Sequence, residues 1–236
     1  MSRIKKVRWV IIGILLVCAI VGGLSAKKIH YYYIKSQLDP QVELTRALNN
    51  MAAVTKYRYD LLSTFTVDGR KEVISKVTGE KEDGNTHIKG EMVNTPVDIY
   101  YVDRTIYNYD ATAEKWLVIP SSTSNSEELL ISELNPMSNF RLKNINTINK
   151  VGFEEIDGTD CLLVSCKALS ESELLETMWK DSEYRLWIDF QNGTLTKAEV
   201  NTTNKQVPST KLNITVNFFD LNQEIKIEPP DTTVKN

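Results

Sequence analysis

Histidine is almost absent from this 236-residue chain, which contains only His30 and His87. A serine or cysteine nucleophile therefore lacks its usual general base. No histidine, cysteine or carboxylate cluster has metal-ligand spacing, and no glycine-rich loop for phosphate is present. We expect no catalytic residue, no metal and no cofactor, and so not an enzyme. We expect His87, which lies between Thr86 and Ile88, to be a solvated strand residue.

Cysteine is also scarce, with three residues. Cys18 lies inside a long apolar run and follows Val17, where a lipid-attachment motif needs a small residue, so we interpret it as buried in that run. Cys161 and Cys166 lie in "CLLVSC", which has strand composition. Five positions along a strand place two side chains on opposite faces, roughly 16 Å apart. A disulfide would need a break in the strand, and two unpaired thiols are the simpler prediction.

Only the N-terminus has an excess of basic residues. Arg3, Lys5, Lys6 and Arg8 precede the first acid, and the rest of the chain carries 24 basic against 31 acidic side chains, a net charge of about −7. Nucleic-acid phosphates require a basic face, so this balance argues against nucleic acid as a partner.

The four early charges lead into a stretch without charge, "WVIIGILLVCAIVGGLSA", from Trp9 to Ala26. Its length is at the lower end of what spans a bilayer as a helix. Basic residues before it and an acidic segment after it predict a cytoplasmic N-terminus and an extracytoplasmic remainder. A retained anchor and a cleaved signal peptide both remain open, because Gly22, Gly23, Ser25 and Ala26 could form a cleavage site.

The chain after this segment reads as one domain. We divide the sequence into a basic N-terminus (1–8), a transmembrane anchor or signal segment (9–26), a stalk (27–39), a domain (40–229) and a flexible polar tail (230–236). Asp39 and Pro40 are typical of a helix start, and apolar residues at helical spacing extend to about Lys56.

From Tyr57 the apolar period changes to two, which predicts five or six strands in meander order. Helical patterns follow between Ser124 and Ile148, divided at Pro136. A hairpin, a short helix with a capping box formed by Ser170 and Glu173, a second hairpin and a last strand complete the order. The class is α+β, an antiparallel sheet with helices gathered on one face.

Apolar residues occur on both faces of the predicted sheet. Val97, Ile99 and Tyr101 point one way, while Tyr100 and Val102 point the other. Two interpretations are open: sheet and helices fill one solid core, or an incompletely filled space between them takes an apolar ligand.

The stretch "RLWIDFQNGTLTKAEV" predicts a hairpin with a three-residue loop and a left-handed Gly193. That register sets Trp187 opposite Lys197 and pairs Ile188 with Thr196, whereas a two-residue turn would set Trp187 opposite Ala198. Charge matching favours the first register, in which Asp189 serves the turn or solvent rather than catalysis.

Several phrases together resemble the LolA-like superfamily of lipoprotein carriers and LppX/LprG-type lipid-binding proteins. They are "PQVELTRALNNMAAVTKYRYD", "YYVDRTIYNYDATAEKWLVIP", "IDGTDCLLVSCKAL" and the Trp-x-Asp hairpin above. The resemblance covers roughly Pro40 to Pro229. It implies a curved antiparallel half-barrel whose concave face is covered by helices. It also implies an apolar cavity, whose candidate lipid-binding residues here are Ile99, Tyr101, Leu130, Leu134, Phe140, Met178 and Trp179.

Taken together, the sequence predicts a membrane-anchored, outward-facing bacterial envelope protein without enzymatic activity. Its partner would be a lipid or acyl chain, or a lipoprotein or other envelope protein. The alternative is a structural or regulatory interaction module of the cell envelope or of a sporulation complex, with a filled core and no ligand.

Overall fold

The computed structural model describes residues 28–120 and 135–232. The chain divides into two compact units, Met1–Asp39 and Pro40–Asn236. In the first unit, residues 28–37 are helical (α1). The predicted transmembrane segment lies outside the described residues, and within them no helix is long and apolar enough to cross a membrane.

The second unit begins with helix α2, Pro40–Ala53, as the Asp-Pro signal predicts. One face of this helix is buried, through Leu44, Ala47 and Met51. The helix ends three residues before the predicted Lys56, since Lys56 already belongs to the first strand.

Eleven strands make one sheet in which every pairing is antiparallel. They are β1 Lys56–Val67, β2 Arg70–Glu82, β3 Asn85–Met92, β4 Thr95–Val102, β5 Thr105–Asp110, β6 Lys115–Pro120, β7 Leu142–Ile156, β8 Thr159–Ser170, β9 Trp179–Asp189, β10 Thr194–Asn204 and β11 Thr210–Phe219. The six-strand meander and the two hairpins are confirmed.

The strand order is β6-β5-β4-β3-β2-β1-β11-β10-β9-β8-β7, so the sheet is open, with β6 and β7 at its edges. The last strand pairs with the first and joins an N-terminal half, β1–β6, to a C-terminal half, β7–β11. Two-residue turns connect several neighbours, and both turn residues have positive φ, as in Asp68-Gly69 and Asp157-Gly158. Such turns match the right-handed twist of a hairpin.

The register places side chains on two faces of the sheet. We call the face that α2 covers the helix face, and the other the opposite face. The helix face carries Tyr59, Gly79, Ile88 and Ile99 side by side across β1 to β4, with Val77 next to Gly79 on the same face. On the other half, α2 packs against β7 to β10. The alternation predicted for β4 is therefore confirmed, with Ile99 on the helix face and Tyr100 on the opposite face.

The opposite face is covered in one place by the C-terminal segment. Ile225 and Ile227 are buried against Val102, Tyr100 and Tyr107 of β4 and β5. The backbone N–H of Ile227 also donates a hydrogen bond to the Glu82 carboxylate, at 2.8 Å. This contact explains why bulky residues occur on both faces of β4.

The helical pattern expected up to Ile148 is wrong beyond Phe140. A short 3-10 helix, η1 (Pro136–Phe140), is followed directly by β7. The helical part predicted between Ser124 and Leu134 lies outside the described residues.

Bulges in β7 account for the error. Its pairing with β8 shifts at three places, and Asn144 and Thr147 have positive φ. Each bulge adds one residue, so Leu142, Ile145 and Ile148, three apart, come to the same face. Three-residue spacing of apolar residues is also typical of a helix, and the sequence alone does not distinguish the two.

The second short helix, α3 (Glu173–Met178), occurs where the sequence predicts a helix, but its first and last residues differ from the prediction. Ser172 is its N-cap and makes no side-chain capping bond. Ser170 ends β8, and its hydroxyl accepts a hydrogen bond from the Ser172 N–H at 2.9 Å. The predicted capping box is therefore wrong, and Trp179, expected in this helix, is the first residue of β9.

Candidate functional site

A cavity of about 400 Å³ opens on the helix face and is lined by residues from both halves of the sheet. The C-terminal half of α2 forms one wall, and η1 with the start of β7 forms another. The ends of β1 and β2 contribute the third. Its lining residues are Leu48, Asn49, Met51, Ala52, Val54, Tyr57, Lys81, Asn135, Met137, Phe140, Arg141, Leu142 and Glu171.

Part of the lining of this cavity is apolar. Met51 and Phe140 are almost fully buried, and Met137 is 8% exposed. Phe140 makes an edge-to-face contact with Tyr184, with ring centroids 6.2 Å apart. This part of the lining is hydrophobic, as the walls of small-molecule sites are.

Polar groups occupy one side of the same cavity. The Tyr57 hydroxyl lies 3.3 Å from the Asn135 side-chain oxygen, to which it donates a hydrogen bond. Burial raises the pKa of Tyr57, so its hydroxyl stays protonated at neutral pH. Lys81 and Arg141 add two cations, and Glu171 adds one acid. The cavity thus combines apolar walls with a hydroxyl and an excess of positive charge.

The predicted lipid-binding residues are only partly brought together. Phe140 lines the cavity. Ile99 and Tyr101 lie on the helix face of β4, where Ile99 is buried and Tyr101 half-buried. Leu130 and Leu134 lie outside the described residues.

The two candidates near α3, Met178 and Trp179, do not line this cavity. Trp179 packs on Phe65, with ring centroids 5.7 Å apart, and lines a separate polar depression with Ser182 and Lys205. Met178 is 49% exposed. Whether any of the seven candidates binds lipid stays a prediction.

Sequence reasoning missed the contribution of α2, namely Leu48, Met51 and Ala52. It treated them as core residues because their spacing predicts a buried face. Lys81 was also missed, although the alternation of β2 contained a signal. Lys81 is two residues after Gly79 and four after Val77, so all three lie on the helix face.

A larger depression of about 740 Å³ lies mainly on the opposite face of the central strands. Its rim carries Asp60, Lys76, Lys89 and Glu91. Lys89 is paired there with Asp98, 3.3 Å away. The charged rim makes this depression a poorer match for an acyl chain than the cavity on the helix face.

His87 lies on this opposite face and is not the solvated residue that we expected. Its Nε2 is 2.8 Å from an oxygen of Asp98, and its ring stacks on Tyr100 with centroids 3.8 Å apart. The side chain is 22% exposed. The prediction failed because Tyr100 lies directly across the strand pair from His87.

In the Trp-x-Asp hairpin, Asp189 stabilises the turn. Asp189 accepts hydrogen bonds from the backbone N–H groups of Gln191 and Asn192, at 3.0 and 3.1 Å. Gly193 is left-handed as predicted, and Trp187 faces Lys197. The pairing of Ile188 with Thr196 is wrong: a bulge sets Ile188 opposite Leu195 and lengthens the loop to four residues.

Trp187 itself is a buried member of the opposite face. The Lys197 ammonium lies 4.5 Å from its ring centroid, and its indole N–H donates to Glu154 at 2.7 Å. Cys161 packs beside it, while Cys166 lies on the helix face across from Tyr184. Both thiols are free and buried, which confirms the prediction of two unpaired cysteines.

Residues 28–120 and 135–232 contain no group of three or more histidine, cysteine or carboxylate side chains placed to hold a metal ion. A comparison with protein-family models finds no match, and neither does one with curated proteins. Solved structures do match.

The lipoprotein LppX from Mycobacterium tuberculosis aligns over 81% of this chain and 100% of its own, with 14% identity and a TM-score of 0.56. The chain has the fold of LppX. LprF from Mycobacterium bovis aligns over 81% of this chain and 96% of its own, with 13% identity and a TM-score of 0.54. At such identity the likeness concerns the fold, and it agrees with the resemblance that the sequence indicated.

Proposed function

We propose that this LolA-like chain binds the acyl chain of a lipid or of a lipid-anchored partner in the cavity between α2, η1 and the sheet, without covalent chemistry. The observation that carries this proposal is the cavity itself, with Leu48, Met51 and Phe140 on its walls. The LolA-like resemblance implies an apolar cavity under helices, and this cavity lies under α2.

Burial of apolar surface supplies the binding energy. Each methylene moved from water into an apolar site contributes about 0.8 kcal/mol. Affinity should therefore rise with chain length until the cavity is full, and then level off. A filled core, as in an interaction module without ligand, would give no such dependence.

The proposal also covers the location of the protein in the cell. The charge-free stretch from Trp9 to Ala26, preceded by four basic residues, supports an anchor in the cell membrane with the domain on the outer side. An anchored carrier would receive or present a lipid next to the bilayer rather than ferry it across a compartment.

Photo-crosslinking tests the proposal on the full-length chain purified in an amphipathic polymer. A hexadecyl probe carrying a diazirine is added, irradiated and located by peptide mass spectrometry. We expect labels in α2 and η1, around Met51 and Phe140. Labels confined to the predicted membrane segment, or none at all, would overturn the proposal.

A cavity-filling variant is the control. Ala52 lines the cavity and is exposed, so Ala52→Trp should fill part of the space without disturbing the core. It should lose the labels on η1, while Thr45→Trp, at an exposed position outside the cavity lining, should keep them.

A further inference from the structure

A lysine occupies an interior position of the sheet. Lys81 is aligned with Tyr57 on one side and Thr86 on the other, and both of these residues are buried. It therefore points to the helix face, into the cavity described above. Burying an ammonium without a partner is costly, so such a position calls for a compensating anion.

No carboxylate in the described part of the chain provides it. The Lys81 ammonium forms neither an ion pair nor a hydrogen bond there, whereas Lys56, one strand away, is paired with Glu82 at 2.9 Å. Burial lowers the pKa of Lys81; repulsion from Arg141 acts in the same direction, and the attraction of Asp83 opposes both. Arg141 lines the same cavity as Lys81.

The remaining groups around Lys81 define the chemistry. Arg141 follows η1 directly and is exposed at the cavity mouth. The Tyr57 hydroxyl already donates to Asn135, and the one acid of the lining, Glu171, is exposed. Two cations and one acid leave a net positive charge beside apolar walls.

We propose that Lys81 and Arg141 form a subsite for an anionic headgroup, so that the ligand is an amphiphile with a carboxylate or phosphate next to its acyl chain. This inference rests on the proposed function. Guanidinium and ammonium groups bind such oxygens by charge-assisted hydrogen bonds, and the apolar walls of the same cavity take the chain.

The test compares matched probes on the full-length chain in the same amphipathic polymer at neutral pH. Fluorescent hexadecanoate, its methyl ester and hexadecyl phosphate are titrated separately, and binding to Ala52→Trp is subtracted as background. We expect both anions to bind more tightly than the ester, by roughly 10- to 100-fold, the range of one or two hydrogen bonds to a charged group.

Substitution of the lysine should weaken this preference alone. Lys81→Met keeps most of the side-chain volume and removes a buried charge, so the domain should stay folded. Because Arg141 remains, we expect the preference for the anions over the ester to fall about tenfold, and the ester to bind as well as it does to the unsubstituted protein. Lys76→Met, on the opposite face of the same strand, should keep the full preference.

Removal of the acid should act in the opposite direction. Glu171→Gln is expected to strengthen binding of both anionic probes several-fold and to leave the ester unchanged. Raising the pH towards the lowered pKa of Lys81 should weaken anion binding, because the ammonium is then lost, and again leave the ester unchanged.

The outcomes separate the two proposals. Equal affinity of ester and anions in the unsubstituted protein, or a preference that Lys81→Met leaves unchanged, would overturn the headgroup subsite and leave acyl-chain binding intact. Absence of binding by all three probes would overturn the proposed function as well. Inorganic phosphate at millimolar concentration should not displace the ester; displacement would mean that the cations bind a free anion rather than a lipid.

Discussion

The two halves of the sheet differ in how they are buried. In β8 to β10, helix-face residues such as Leu162, Leu186 and Val200 are fully buried, and α2 packs against this half. Burial decreases towards the other edge: β5 is half-buried throughout, and Leu117 of β6 is 48% exposed.

Hydrogen bonds from α2 reinforce the difference. Arg46 donates to the carbonyl of Phe190, and Asn50 donates to the carbonyl of Gly193 at 2.8 Å. Both acceptors belong to the β9–β10 turn. The C-terminal half thus combines sheet and helix in one packed scaffold, and the cavity lies along its boundary with β1 and β2.

The largest effect should come from the core of the C-terminal half. Leu186→Ala removes a fully buried side chain from β9, and we expect it to lower the free energy of unfolding by about 3 kcal/mol. Leu117→Ala, on the exposed edge strand, should cost no more than about 0.5 kcal/mol. Urea denaturation of the two variants measures the contrast, and similar costs would contradict it.

The next effect concerns β1 and β2, in the N-terminal half. A Cβ on Gly79 would lie 2.1 Å from the Cζ atom of Tyr59, whose ring covers this glycine. We expect Gly79→Ala to destabilise the domain by about 2 kcal/mol, because the buried ring must shift. Gly84→Ala, where a Cβ meets no atom within 4 Å, is the control and should be close to neutral.

The C-terminal segment should stabilise the N-terminal half locally. Ile225→Ala empties a buried contact with β4 and β5, and we expect a cost of about 1.5 kcal/mol for this short segment. Hydrogen exchange should become faster in β4 and β5 and remain unchanged in β8 and β9. The neighbouring exposed Glu224→Ala should have no effect; faster exchange throughout the sheet would show that the halves unfold together.

The smallest effect is a dependence on pH in the C-terminal half. Burial raises the pKa of Cys166 to about 12 from its ordinary value of 9.0. The unfolded chain therefore loses this proton first, and stability is complete below pH 9 and lost as pH rises towards 12.

Between pH 9 and 10 the loss due to Cys166 should be about 1 kcal/mol. It is measured as the difference between denaturation of the unsubstituted protein and of Cys166→Ala at each pH. A difference that stays constant with pH would contradict a buried, protonated thiol.

Much of the fold follows from local patterns. The alternation in β1 to β6 and the start of α2 were both predicted from the sequence, and the fold comparison with LppX agrees with the resemblance. The prediction failed at β7, where bulges after Leu142 and Ile145 imitate helical spacing. It also failed at His87, because its partner Asp98 lies on the neighbouring strand and no local pattern connects them.

The site was less predictable than the fold. Phe140 was a candidate because the resemblance implies a cavity lined by apolar residues of the helices, but the α2 residues and Lys81 were not candidates. A cavity is the space that neighbouring elements leave unfilled, so its lining depends on how α2 and η1 are placed on the sheet. Met178 is exposed because α3 ends there and the chain turns into β9.

The sequence by itself determined the antiparallel class, the order of the strands in the meander and the separation of Cys161 from Cys166. These depend on interactions between residues that are near in the chain, above all the two-residue period of a strand. Tertiary structure alone decided the pairing of β1 with β11, the covering of β4 by Ile225 and the presence of Lys81 in an apolar cavity. These depend on contacts between residues far apart in the chain, which only the folded packing brings together.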